Sequence, residues 1–163
     1  MATAKKSSSS ADVGAPYDEP VIIKKLSSFL ADSYFTYLKT QGYHWNVRGP
    51  NFYSLHNLFE EQYTNFFAAI DVIAERIRAL GADAPGSFEQ FRKLSDIKEA
   101  TGVPTAEEMI EDLAKDHEQL SKRSRELIAA MEKVHDMATA DLMTERLGFH
   151  DQAVWMLRSS LSK

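Results

Sequence analysis

Apolar residues recur at three- and four-residue steps through four long stretches of this chain, and no segment alternates in the two-residue manner of a strand. That period commits the chain to helices that bury one face against each other. The first stretch begins at Val21, carries Ile22, Leu26, Phe29, Leu30, Tyr34, Tyr37 and Leu38, and ends near Tyr43 or Trp45. Arg48-Gly49-Pro50-Asn51 supplies turn chemistry, with Asn51 as N-cap of a second helix running from Phe52 to Leu80. Gly81 suits the C-terminal end of that helix.

A long connection follows, from Ala82 to Pro104, broken by Pro85, Gly86, Gly102 and Pro104. A connection of this length needs structure of its own, and Phe88, Phe91, Leu94 and Ile97 predict a short helix packed across the bundle. Thr105 caps the third long helix, with Glu107 and Glu108 in the first turn, where the helix dipole favours acids. Its buried face is predicted to hold Ile110, Leu113, Leu120, Leu127, Met131 and Val134. After a turn near His135-Asp136, the fourth helix spans Thr139 to Leu161, with Met143, Leu147, Val154, Leu157 and Leu161 on one stripe. The expected fold is all-α, a ferritin-like four-helix bundle with a short helix in the crossover between the second and third long helices.

Residues 1–20 have a different character. Ser7 to Ser10, Gly14, Pro16 and Pro20, with few large apolar residues, predict a disordered N-terminal tail ahead of a bundle domain at 21–163. A chain of 163 residues is expected to form one such domain. The absence of cysteine removes disulfides, thiolate metal sites and thiol nucleophiles together. A net charge of −5 gives no bulk attraction to nucleic acid, and Lys5 and Lys6 in the tail stand against Asp12, Asp18 and Glu19. No apolar run reaches signal-peptide or transmembrane character, so the expectation is no membrane and a cytoplasmic location.

The second helix carries more than a core face. From His56, the residues Glu60, Asp71 and Glu75 fall at about 40°, 60° and 100° around its axis, while Leu58, Phe59, Phe66, Ile70, Ile73 and Ile77 centre well over about 100° away. Carboxylates with imidazole and no sulfur suit iron, manganese or zinc. His56 and Asp71 lie about 22 Å apart along the axis, whereas metal–ligand bonds are about 2 Å long. One helix therefore cannot bring both pairs to one ion. Two antiparallel copies related by a two-fold axis near Asn65 and Phe66 can, and they form two equivalent sites. His44, just before the turn, is placed to fold back beside His56. Tyr53, Tyr63, Thr64, Phe67 and Ala68 line the intervening face, where a partner explains them better than water. The competing explanation is simpler. An i, i+4 His/Glu pair is often only a solvated helix pair, and Asp71/Glu75 would repel mildly unless Arg76, Arg78 or a cation relieves them.

The segment His44-Trp45-Asn46-Val47-Arg48-Gly49-Pro50-Asn51-Phe52, then Leu55-His56, then Asp71 and Ala74-Glu75-Arg76-Ile77, resembles the Dps family, the mini-ferritins named for DNA protection in starved cells. The resemblance covers nearly all of the chain after the tail, including Ala153-Val154-Trp155-Met156-Leu157-Arg158. It implies a dodecameric homo-oligomer with ferroxidase sites at two-fold interfaces. The family's iron ligands map to His44, His56 and Glu60 of one subunit and Asp71 and Glu75 of its neighbour. Position 60 commonly holds Asp in the family, and Glu60 adds a methylene without removing the carboxylate. The implied activity is that of a ferroxidase: Fe(II) oxidised to Fe(III), hydrogen peroxide as preferred oxidant, ferric mineral stored in the cavity, and protection against oxidative damage. Zinc or another divalent metal would substitute for iron on the same ligands. Trp45 follows a ligand directly, and it reads either as a residue supporting the metal centre, including as a sacrificial electron donor, or as ordinary interface packing.

Lysine-rich tails bind DNA in other members. This tail is poor in lysine, so a nucleoid-binding structural protein with weak ferroxidase activity stands as the alternative. Iron entry in the family uses acidic pores, for which the third long helix offers Glu111, Asp112, Asp116, Glu118 and Glu126, residues that otherwise read as a solvated face. His117 and His150 lie on apolar stripes and read as hydrogen-bonded core histidines. Glu132-x-x-His135 has the spacing of a di-iron motif inside a bundle, but it stands alone at a predicted helix end.

Overall fold

A computed structural model describes residues 19–161, and within them the chain is all-helical. Five helices follow in order: α1 at Glu19–Asn46, α2 at Phe52–Ala79, α3 at Phe88–Leu94, α4 at Ala106–Lys133 and α5 at Met137–Ser159. The helices α1, α2 and α4 each have 28 residues, or about 42 Å of axis, enough to run the length of a bundle. The α1/α2 and α4/α5 hairpins are the main packing pairs, and α1 joins them through α4 and through α3 of the crossover. This is the expected ferritin-like arrangement.

Local chemistry accounts for the boundaries. The first helix starts at Glu19 rather than Val21, so Pro20 lies in its first turn, where a missing N–H costs nothing. The rest of the predicted tail lies outside the described residues. Between α1 and α2, Gly49 takes a left-handed φ of 116°. Asn51 occupies the N-cap of α2 but makes no side-chain cap; its main-chain carbonyl instead accepts from Leu55 N and Ser54 Oγ, both at 3.0 Å. At the other end Gly81, with φ 92°, closes a Schellman motif, Gly81 N–H to Arg78 O and Ala82 N–H to Ile77 O. Thr105 and Glu108 form a full capping box on α4, and Ser87 and Gln90 form one on α3. Asp136 caps α5 through Thr139 N at 3.0 Å, so α5 starts two residues earlier than predicted.

The core divides into two clusters. One gathers Leu26, Phe29, Phe66, Ile73, Ile77, Leu127, Met131 and Met143; the other, around the α1–α2 turn, gathers Tyr43, Val47, Leu55, Phe59, Met109, Leu113 and Leu157. On α5 the buried stripe is rotated from the predicted one. Ala140, Met143, Arg146, His150, Ala153 and Leu157 are buried, while Leu147, Val154 and Leu161 are half-buried. His117 and His150 are fully buried, with Nδ1 to Nδ1 at 3.0 Å, as the core reading required. Arg146 reaches Asn65 Oδ1 at 2.8 Å and stacks over Phe149.

Other buried charges cross between helices. Asp32 of α1 meets Arg123 of α4 at 2.6 Å, and Lys39 of α1 meets Asp116 at 2.8 Å and Asp112 at 3.1 Å. The predicted solvated face of α4 therefore narrows. Asp116 is buried and Asp112 half-buried, leaving Glu111, Glu118 and Glu126 exposed. Glu132 and His135 are both exposed, and His135 takes a positive φ of 58° past the helix end, away from the bundle interior.

Candidate metal centre

The short Val47–Asn51 turn folds the end of α1 back beside the start of α2, and His44 comes to lie against His56. The imidazoles stack with centroids 3.8 Å apart and planes 19° apart. Each ring is oriented by the main chain of the other helix: His44 Nδ1 to His56 O is 2.8 Å, and His56 Nδ1 to His44 O is 2.9 Å. A carbonyl oxygen can only accept, so both Nδ1 atoms carry the hydrogen. In the neutral rings the lone pair then sits on Nε2, the atom left to face a metal. Such an outer hydrogen bond is what fixes the tautomer and ring angle of a ligating histidine.

Glu60, one turn after His56 on α2, completes a cluster. One ligand atom from each of His44, His56 and Glu60 lies within 4.8 Å of the others, and no other group of three such residues converges among the described residues. His44 is buried at 8 % exposure, His56 is half-buried and Glu60 is exposed, so the cluster opens outward from the chain. Two imidazoles and one carboxylate are borderline-to-hard donors that fit a divalent first-row ion but do not by themselves fill its coordination.

Asp71 and Glu75 are not brought to that cluster. Both are exposed on α2, and neither takes a hydrogen bond or ion pair among the described residues. The nearby cations are engaged elsewhere. Arg76 turns to Asp136 and Thr139, at 2.8 and 2.7 Å, and Arg78 turns to Asp83 and to Ala82 O. Two carboxylates one helical turn apart are thus left without a counter-charge among the described residues.

Aromatic side chains surround the cluster. Phe52 stacks on His56 at 5.1 Å, and Tyr63 meets His44 edge-on at 5.1 Å and 70°. Burial raises the Tyr63 phenol above its usual pKa, helped by the negative charge of Glu60. Neither contact was assigned to the metal centre from sequence, although Phe52 precedes His56 by four residues and Tyr63 follows Glu60 by three. Along the rest of the predicted partner face, Tyr53 is 77 % and Phe67 68 % exposed, with Thr64 and Ala68 also exposed. Trp45 is 64 % exposed and makes no ring contact with the cluster among the described residues. No described helix is long and apolar enough to cross a membrane.

A ferritin-like domain model matches residues 23–163. An uncharacterised low temperature-induced protein of Nostoc sp. is 44 % identical over 140 residues, 85 % of this chain and 78 % of that protein. The DNA protection during starvation protein 2 of Bacillus anthracis is 34 % identical over 142 residues, 87 % of this chain and 97 % of the relative. Among solved structures, the Dps protein of Vibrio cholerae O1, described as a ferritin-like diiron-carboxylate protein, is 32 % identical with a TM-score of 0.84, over 88 % of this chain and 91 % of that one.

Proposed function

This chain belongs to the Dps family of ferritin-like proteins, and on that premise we propose that it is a ferroxidase whose metal site is shared between two subunits. His44, His56 and Glu60 bind Fe(II) from one subunit, and Asp71 and Glu75 of the neighbour complete the coordination. Hydrogen peroxide is the oxidant, with two Fe(II) and two protons consumed per peroxide to give two Fe(III) and two waters. Taking both electrons from iron in this way avoids releasing hydroxyl radical. Ferric product accumulates as mineral inside a dodecameric shell, in the cytoplasm, and protects the cell from oxidative damage.

One observation carries this reading. The start of α2, with His44 from the end of α1, presents a three-ligand cluster, and the other end of α2 presents two exposed carboxylates whose neighbouring arginines are committed elsewhere. Uncompensated like charges at i, i+4 cost a helix a few tenths of a kcal/mol, about 0.2–0.5, unless something cationic arrives. A neighbour's half-site holding a metal ion supplies that charge. The exposed Tyr53 and Phe67 on the same face supply apolar surface for the contact.

The test is to add Fe(II) and peroxide to the purified assembly and follow ferric absorbance together with peroxide loss. The expected stoichiometry is two iron per peroxide, and the rate should collapse in His44→Ala/His56→Ala. An unchanged rate in that variant would remove the interface site from the account.

A further inference from the structure

The His56 imidazole has a ring on each of its faces. On one side lies His44, with centroids 3.8 Å apart and planes 19° apart; on the other lies Phe52, at 5.1 Å and 29°. Two rings stacked on the same face at those distances would touch each other. Phe52 and His44 make no ring contact, so they take opposite faces and His56 stands between them. The helix supplies this placement, since Phe52 opens α2 and precedes His56 by four residues, one turn earlier on the same side.

The two histidines are not equally secured. His44 is buried and meets Tyr63 edge-on, and Tyr63 is backed in turn by Tyr37. His56 is half-buried, and beyond His44 its ring touches only Phe52 among the described residues. The hydrogen bond from its Nδ1 to the His44 carbonyl fixes one point of the ring and leaves it free to tilt about that point. A ring on either side limits the tilt, and with it the direction of Nε2. Core packing does not explain Phe52, which is 44 % exposed and belongs to neither buried cluster.

The stack also has an electrostatic sense. An imidazole that gives its Nε2 lone pair to a cation becomes electron-poor, and two such rings 3.8 Å apart repel each other. The face of a benzene ring carries negative potential and attracts an electron-poor neighbour. Phe52 lies where that attraction offsets the repulsion. We propose that Phe52 is a positioning residue of the metal centre: it covers the face of His56 opposite His44 and holds the imidazole with Nε2 set to receive the ion. This rests on the metal site proposed above, of which Phe52 is not a ligand.

The experiment titrates redox-silent Zn(II) into the full-length assembly by calorimetry, with His44→Ala/His56→Ala as the blank that defines the site-specific isotherm. Three proteins are compared: unmodified, Phe52→Leu, which keeps apolar bulk without a π face, and Phe52→Tyr, which keeps the ring. Phe52→Leu should weaken site-specific zinc binding about fivefold, the size of a cation–π contact at a partly exposed position. Phe52→Tyr should stay within about twofold of the unmodified protein, because the same face is presented. Assembly mass and the melting temperature of the zinc-free protein should be the same in all three. Phe52→Leu binding like the unmodified protein, or an equal loss in both variants, overturns the role while leaving the metal site standing. A loss of zinc affinity accompanied by a fall in melting temperature or assembly mass also overturns it, since that marks Phe52 as packing. No site-specific binding by the unmodified protein overturns the site itself and this role with it.

Discussion

His44 and His56 each donate an Nδ1 hydrogen bond to the other's main-chain carbonyl, at 2.8 and 2.9 Å. The exchange ties the end of α1 to the start of α2 through the very residues whose Nε2 atoms are left to bind an ion. Folding of the turn and orientation of the imidazoles are thus one event.

That reciprocity predicts an asymmetric response to truncation. In His56→Ala the main-chain oxygen of residue 56 remains, so His44 keeps its acceptor and its orientation while a ligand is lost. Metal affinity should fall by about 10- to 100-fold, with a stability change under about 1 kcal/mol. Calorimetric metal titration beside a denaturation curve separates the two; a stability loss as large as that of a core truncation would show that the pair is structural.

Lys39 is buried at 5 % exposure between Asp116 and Asp112. Burial raises the Asp116 carboxyl to about 6 even with the lysine beside it, and desolvation together with Asp112 pushes the Tyr43 phenol well up. Lys39→Met should destabilise the subunit by about 3–5 kcal/mol, the cost of leaving buried carboxylate without its cation. Adding Asp116→Asn should recover part of that loss. Urea unfolding of the single and double variants measures both numbers.

His117 and His150 set a pH dependence. Burial lowers both, His117 to about 3, with the Arg146 charge adding to the effect. Their folded pKa values lie below the unfolded value of about 6.5, so on acidification the unfolded chain takes up protons that the native one refuses. Stability is therefore lost as pH falls below about 6.5, at about 1.4 kcal/mol per pH unit for each histidine. Asp116 and Asp32 act in the opposite sense, since their raised folded pKa values favour protonation of the native state. The difference between the protein and His117→Gln/His150→Gln isolates the histidines: between pH 6 and 5 the double variant should lose less stability. Equal slopes would mean that neither histidine titrates on unfolding.

Thr105 accepts from Glu108 N while the Glu108 carboxylate returns to Thr105 N at 2.8 Å, closing the box that starts α4. Thr105→Ala should cost about 1 kcal/mol, read as a shift in the urea midpoint at constant slope.

Much of this was legible in the chain because it is written in local periods. The spacing of Ile22, Leu26, Phe29 and Leu30, the Thr105 cap and the Gly81 stop each act within one or two turns, and each appears where its chemistry demands. The same holds for the two pairs on α2, whose shared stripe and axial separation are properties of one helix. What was hidden depends on residues far apart in sequence. Lys39 looks like a surface lysine until Asp112 and Asp116 arrive from α4, and Asp32 is matched only by Arg123. The α5 stripe rotates because His150 finds His117 and Arg146 finds Asn65, partners that no periodicity within α5 can reveal. Asn51 stands at its expected position, yet its side chain leaves the capping unused.

The central claim is that one metal site is built from two subunits, and subunit mixing tests it most directly. One variant, His44→Ala/His56→Ala, lacks the first half-site; the other, Asp71→Asn/Glu75→Gln, lacks the second. Each should be inactive alone. Unfolded together and reassembled in equal amounts, they should regain peroxide-dependent iron oxidation at about a quarter of the sites, because random isologous pairs unite the two intact halves in one of the two sites of half the dimers. Activity that stays at the level of the separate variants would mean that the two half-sites never meet, and the shared centre would have to be given up.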